Sequence, residues 1–156
     1  ACNLTAETTI ALSKISNIVA LKEAAGNLDQ TTKVVEGCGK DFLVYSGEDS
    51  LTLPTLCVGG YGVVSVASHI VGVQIDDMIN AYFSGNYKKA AELHQRLSGI
   101  FKALFITTNP IPVKAALNLM GLNVGGLRLP LIEADEDVKE TLAIEMKKLN
   151  LLLNNN

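Results

Sequence analysis

No stretch of the 156-residue chain has the length and apolarity of a membrane span; its apolar runs are strand-sized, far short of the roughly 20 residues such a helix needs. Basic tracts are missing as well. Thirteen Lys and Arg against sixteen Asp and Glu give a net charge of −3, so a nucleic-acid or anionic-membrane partner has no electrostatic support. Cysteine is sparse: Cys2, Cys38 and Cys57 lie far apart, form no CxxC pair and are odd in number. That usage fits reduced thiols in the cytoplasm better than a disulfide framework. The opening residues ACNLTAETT show neither a basic leader nor an apolar signal core, so export is not expected and the Asn3-Leu4-Thr5 sequon carries no weight.

Several chemistries are excluded in the same way. There is no G-x-S-x-G nucleophile motif and no catalytic cysteine context. Gly59-Gly60-Tyr61-Gly62 precedes a strand instead of following one, so it reads as a tight turn and not as a phosphate loop. His69 and His94 have no neighbouring His or Cys, and Glu48-Asp49 has no third ligand nearby. No metal site is therefore expected.

What remains is a well-buried globular composition, 48% hydrophobic and 19% charged. Three apolar runs, over residues 18–21, 42–45 and 62–66, are β-branched or aromatic and lack period-2 alternation, as strands of a parallel sheet do. Helical patterns lie between them. Thr5 is placed to cap a helix reaching about Ile15, residues 28–36 read as a second helix closed by Gly37 and Gly39, and a third follows Asp49 near Pro54. After Val66 helices take over. Ala90, Leu93, Leu97, Ile100, Phe101 and Leu104 form one helical stripe. Asn109-Pro110-Ile111-Pro112 breaks the chain before a helix to about Met120, and residues 135–152 form an amphipathic closing helix. The chain thus divides into an α/β part, residues 1–67, and a helical part, residues 68–156. Three parallel strands alone leave two raw sheet edges, whereas a closed eight-stranded barrel takes about 250 residues. The sequence suits the closing strands of a barrel completed by other residues, or a small doubly wound sheet.

Lys22 follows four apolar residues, at the carboxyl end of the first run, where α/β folds place their active sites. Enclosed there, its ammonium would lose protons more readily and offer a neutral amine to a carbonyl carbon. The plainer reading is a lysine snorkelling to solvent or paired with Glu23. In Ser46-Gly47-Glu48-Asp49 the glycine lets a ligand approach the backbone, and Asp49 suits a cap for the helix that follows.

Four segments carry a resemblance: NIVALKEAAGN over 17–27, YSGED over 45–49, GGYGVVSV over 59–66 and NPIPVKA over 109–115. In order and spacing, through about Leu151, they resemble the dihydrodipicolinate synthase family (4-hydroxy-tetrahydrodipicolinate synthase), a branch of the pyruvate aldolases that includes N-acetylneuraminate lyase. The resemblance implies the last three strands of a TIM (β/α)8 barrel followed by a helical C-terminal domain. It implies a Schiff-base lyase of diaminopimelate and lysine biosynthesis that joins pyruvate to L-aspartate 4-semialdehyde without a cofactor. Lys22 matches the imine-forming lysine. Gly47 matches a glycine whose backbone lies beside pyruvate, and Val64, where isoleucine is commoner, matches a pyruvate contact. Asn109 to Lys114 fall where the helical appendage joins the barrel and are read as structural.

The family's proton-relay tyrosine, its partners, the arginine for the second substrate and the feedback site for lysine lie earlier in the chain than this sequence begins. The resemblance therefore implies an N-terminal half of the barrel as partner, a homotetramer, and an isolated segment that is inactive and incomplete as a folding unit. The alternatives are a related pyruvate lyase acting on sugar acids and a non-catalytic remnant of the fold.

Overall fold

The computed structural model describes residues 2–152. The chain alternates helix and strand through its first third, as α1 (Ala6–Leu12), β1 (Ala20–Glu23), α2 (Leu28–Cys38) and β2 (Leu43–Ser46). A 3-10 turn (Asp49–Leu51) leads into α3 (Thr52–Cys57) and β3 (Gly62–Val63). The remainder is helical: α4 (Ser68–Phe83), α5 (Tyr87–Ala103), α6 (Ile111–Leu119) and α7 (Glu136–Lys148). The strands are parallel in the order β1-β2-β3, with Lys22 opposite Tyr45 and Tyr45 opposite Gly62. No other described strand pairs with the outer edges of β1 and β3.

Capping explains where the helices start. The Thr5 hydroxyl accepts from the Thr8 N–H, and the Asn27 carboxamide accepts from the N–H groups of Asp29 and Gln30. The Asp135 carboxylate accepts from Val138 N–H at 2.9 Å, with Glu136 and Asp137 in the first turn of α7 and Lys147 and Lys148 in the last. Each charge thus opposes the helix dipole at its own end. Pro112 sits in the first turn of α6, where its missing N–H leaves no helical bond unmade.

Several boundaries differ from the sequence expectation: α1 ends at Leu12, not near Ile15, and the closing helix at Lys148, not Leu152. The first strand begins at Ala20, not Ile18, and includes Lys22 and Glu23. Ile18 N–H is spent on Ile15 O at 2.9 Å in the turn that ends α1, so this residue is held out of the ladder. Gly37 does not stop α2 but lies within it, at a point where a Cβ would collide with the Ile10 side chain of α1. Gly39, at φ +85°, is the terminator.

Two apolar cores form. The smaller gathers Ala6, Val34 and Val44, with Leu21, Val35 and Phe42 against it. The larger joins Ile70, Val71, Ile75 and Met78 of α4 to Leu93, Leu97, Ile100 and Phe101 of α5 and to Leu142 and Met146 of α7. The expected α5 stripe is buried throughout, and each large side chain in it contributes about 2 kcal/mol. The helices cover only one face of the sheet. Leu21, Val44, Ser46 and Val63 turn toward them, whereas Lys22 and Val64 lie exposed on the other side.

His94, half-buried on α5, is the polar exception within this core. Its Nδ1 is buried without a hydrogen-bond partner, its ring packs 6.3 Å from that of Phe101, and desolvation holds its pKa below the ordinary histidine range. The fold therefore favours neutral imidazole, and the unfolded chain binds the extra proton. Stability from this group is complete above about pH 6.5 and is lost as pH falls toward the depressed native value. Melting temperature is expected to fall between pH 7.5 and 5.5, and less steeply in a His94→Leu variant. Parallel pH-stepped melts check this, and identical slopes would contradict it.

Candidate active site

At the carboxyl ends of the strands, three backbones converge. Lys22 is the third residue of β1. Because strand side chains alternate, Lys22, Tyr45 and Gly62 form one layer, and Ala24, Gly47 and Val64, two residues on, continue the same face. The sequence-predicted residues Lys22, Gly47 and Val64 thus share one side of the sheet.

Glycine at position 47 follows from the space available. Its N–H donates to Glu23 O at 2.6 Å, drawing the β2 exit against β1. A Cβ added there would lie 2.7 Å from Ala24 Cβ, 3.0 Å from Glu23 O and 3.1 Å from Lys22 Cε. The absence of a side chain at Gly47 therefore leaves room for the lysine stem. A Gly47→Ala variant is expected to stay folded but form a carbonyl adduct on Lys22 about 10²-fold more slowly, since small displacements of reacting groups cost that much. Reductive trapping followed by mass spectrometry reads the rate, and an unchanged rate would contradict this tight fit.

Val64 follows β3 directly, and its N–H donates to Ser46 O at 2.8 Å, while the side chain is left exposed. The sequence-predicted strand over 62–66 stops at Val63 because Asp49 captures the next residues. The Asp49 carboxylate, 2% exposed, accepts from the Ser65 hydroxyl and from the N–H groups of Val66 (3.1 Å) and Ala67 (3.0 Å). Its side chain serves the entry to α4, 17 and 18 residues away, and not the start of the helix immediately after it. The loop before it is tied by Ser46, whose hydroxyl donates to Glu48 O at 2.7 Å.

Lys22 is exposed and makes no ion pair among the described residues. Enclosure of its ammonium is not supplied by the described residues. Glu23 does not pair with it, because its Oε1 accepts from Ala25 N–H at 2.7 Å and its Oε2 from the Gln30 amide at 3.0 Å. Lys22 faces a cavity of about 550 Å³ whose wall includes Asn3, Glu23, Ala25 and Gln30. A second cavity, of about 420 Å³, lies between Ala24, Gly47 to Ser50 and the last turns of α5.

Tyr45 escaped sequence reasoning. It is half-buried, stands opposite Lys22 in the register and packs edge-on against Tyr61 at 5.5 Å. Its place two residues before Gly47 was the available signal. Among the described residues no three His, Cys, Asp or Glu side chains cluster as metal ligands. His69 Nδ1 lies 3.0 Å from Val66 O at the start of α4, and Lys114 donates to Gly126 O, tying α6 to the connector after it. No helix of the described residues is long and apolar enough to cross a membrane.

Comparison with known proteins adds a family. Residues 1–149 match the dihydrodipicolinate synthetase family. The chain is 55% identical over 150 residues to a 4-hydroxy-tetrahydrodipicolinate synthase of Desulforudis audaxviator, covering 96% of this chain and 51% of that protein. A synthase of the same name from Cyanothece is 54% identical over the same shares. Among solved structures, a dihydrodipicolinate synthase from Cyanidioschyzon merolae with lysine bound superposes with a TM-score of 0.95 at 48% identity, over 97% of this chain and 51% of that one. The Thermotoga maritima dihydrodipicolinate synthase gives 0.93 at 44%, over 96% and 52%. The chain spans about half the length of the curated relatives it matches and aligns to their C-terminal half.

Proposed function

The chain belongs to the dihydrodipicolinate synthetase family, and on that premise we propose that it is the C-terminal half of a 4-hydroxy-tetrahydrodipicolinate synthase with Lys22 as its nucleophile. The observation that carries this reading is the placement of Lys22 at the carboxyl end of β1 with the Gly47 backbone against its stem and Val64 on the same face. In the reaction, the neutral amine of Lys22 adds to the keto carbon of pyruvate and water leaves, giving an imine. The protonated imine nitrogen accepts the electron pair when a methyl proton departs. The resulting enamine carbon attacks the aldehyde carbon of L-aspartate 4-semialdehyde. The nitrogen is the electron sink, so the chemistry calls for neither metal nor organic cofactor. Gly47 and Val64 border the pyruvate.

The one-sided sheet supports the architectural part of the proposal. Parallel sheets bury both faces, and here the described residues leave one face and two edges uncovered. Rolling this sheet into a (β/α)8 barrel, with β1 to β3 as its last three strands, encloses Lys22 and pairs both edges. Residues 1–67 then belong to the barrel, and residues 68–156 form its last helix and a helical C-terminal domain. The other half supplies the proton relay and the binding group for the second substrate, and the enzyme works in the cytoplasm as a homotetramer.

The test is a substrate panel on the full-length polypeptide. Condensation of pyruvate with L-aspartate 4-semialdehyde, without cleavage of N-acetylneuraminate, is expected. Cleavage of the sugar acid in place of condensation would assign a sister lyase, and turnover of neither would leave a remnant of the fold.

A further inference from the structure

The cavity between the β2 exit loop and α5 shares Gly47 with the pyruvate site, but its α5 wall has no part in the mechanism above. Its walls are Ala24, Gly47, Glu48, Asp49 and Ser50 on one side and Phe101, Lys102 and Phe105 on the other. Gly47, in its wall, is a neighbour of the nucleophile, because an added Cβ there would stand 3.1 Å from Lys22 Cε. The space thus adjoins the stem of the reacting lysine on its Gly47 side, although Lys22 itself lines the other cavity.

The charges around it are unequal in what they have left to offer. Asp49 spends both carboxylate oxygens on Ser65, Val66 and Ala67. Glu48 accepts from the Ser50 hydroxyl at 2.6 Å, and its Oε2 leans toward Gly26 in the loop after β1. Lys102 is the single cation in the lining, and it is exposed with no hydrogen bond or ion pair among the described residues. An uncommitted ammonium at the rim of a cavity walled on its α5 side by Phe101 and Phe105 attracts anions, and low-dielectric walls concentrate its field.

We propose that Lys102 is a specificity-determining residue that draws the carboxylate of a 2-oxo acid through this cavity toward Lys22. The proposal rests on the imine-forming reading of Lys22. It also offsets the anionic rim: Glu48 alone would repel every carboxylate substrate. Lys102 lies in the last turn of α5 as well, where a cation favours the helix dipole. That role affects stability but neither substrate affinity nor its dependence on salt.

The experiment compares Lys102→Met, Lys102→Arg and Lys88→Met in the full-length polypeptide. Lys88 is exposed at the opposite end of α5, so its variant removes the same net charge far from the cavity. Lys102→Met is expected to raise the KM for pyruvate about five-fold at low ionic strength while kcat changes less than about two-fold. Near 1 M salt, where the screening length falls to about 3 Å, the difference should close. Lys102→Arg and Lys88→Met should keep the parent KM. A parent-like KM for Lys102→Met at low salt, or equal shifts in Lys102→Met and Lys88→Met, would overturn the proposal. Absence of any borohydride-stable pyruvate adduct on Lys22 in the parent would instead remove the reading beneath it, and the proposal with it.

Discussion

Replacing Lys22 with alanine in the full-length polypeptide is expected to lower turnover by at least about 10³-fold and to abolish the covalent pyruvate adduct. In the proposed mechanism the lysine supplies both the attacking amine and, as the protonated imine, the electron sink, so no neighbouring group can substitute for half of its work. Lys22→Arg should be as inactive, because a guanidinium stays protonated and cannot add to a carbonyl. The fold should scarcely notice either change. Lys22 makes no ion pair among the described residues, so its replacement strands no partner there, and the melting temperature should move by less than about 2 °C. Steady-state rates and thermal melts on the same preparations check both halves. A Lys22→Ala protein with appreciable condensation activity would contradict the mechanism.

Asp49→Ala is expected to have the largest effect on stability. The carboxylate is buried and holds the Ser65 hydroxyl and two backbone N–H groups. Removing it strands those donors at the entry to α4, at a cost of about 3 kcal/mol for loss of bonds to a charged acceptor. Because α4 packs along α5 in the larger core, the loss is transmitted to the helical region as well as to Val64. Asp49→Asn keeps an acceptor oxygen but turns an N–H₂ toward donors, so about half that loss is expected. Denaturant midpoints for the three proteins give the comparison. An Asp49→Ala midpoint equal to the parent's would show that the carboxylate is dispensable.

How far these features were legible depends on whether the signal was local. The α5 stripe, from Ala90 to Leu104, was readable because helical periodicity is written in adjacent turns. The parallel strands were readable from their apolar runs, but the start of β1 was not, since composition does not record that Ile18 N–H is taken by a turn. Gly37 looked like a helix stop. Its actual role is to admit Ile10, a residue 27 positions earlier, and no local pattern encodes that contact. Asp49 was recognised as a capping residue, but its partners lie at 65–67, beyond the reach of a local rule. The layer that unites Lys22, Tyr45 and Gly62 depends on register, which the strands fix only when paired. Family resemblance singled out Lys22, Gly47 and Val64, and the backbone geometry supplies the physical reason that position 47 is glycine.

The most direct test of the central claim is borohydride reduction of the full-length polypeptide in the presence of pyruvate, followed by intact mass and peptide mapping. The account predicts one stable pyruvate-derived adduct per chain, located on Lys22 and blocked in Lys22→Ala. An adduct on a different lysine, or none on protein shown by its melting transition to be folded, would contradict it.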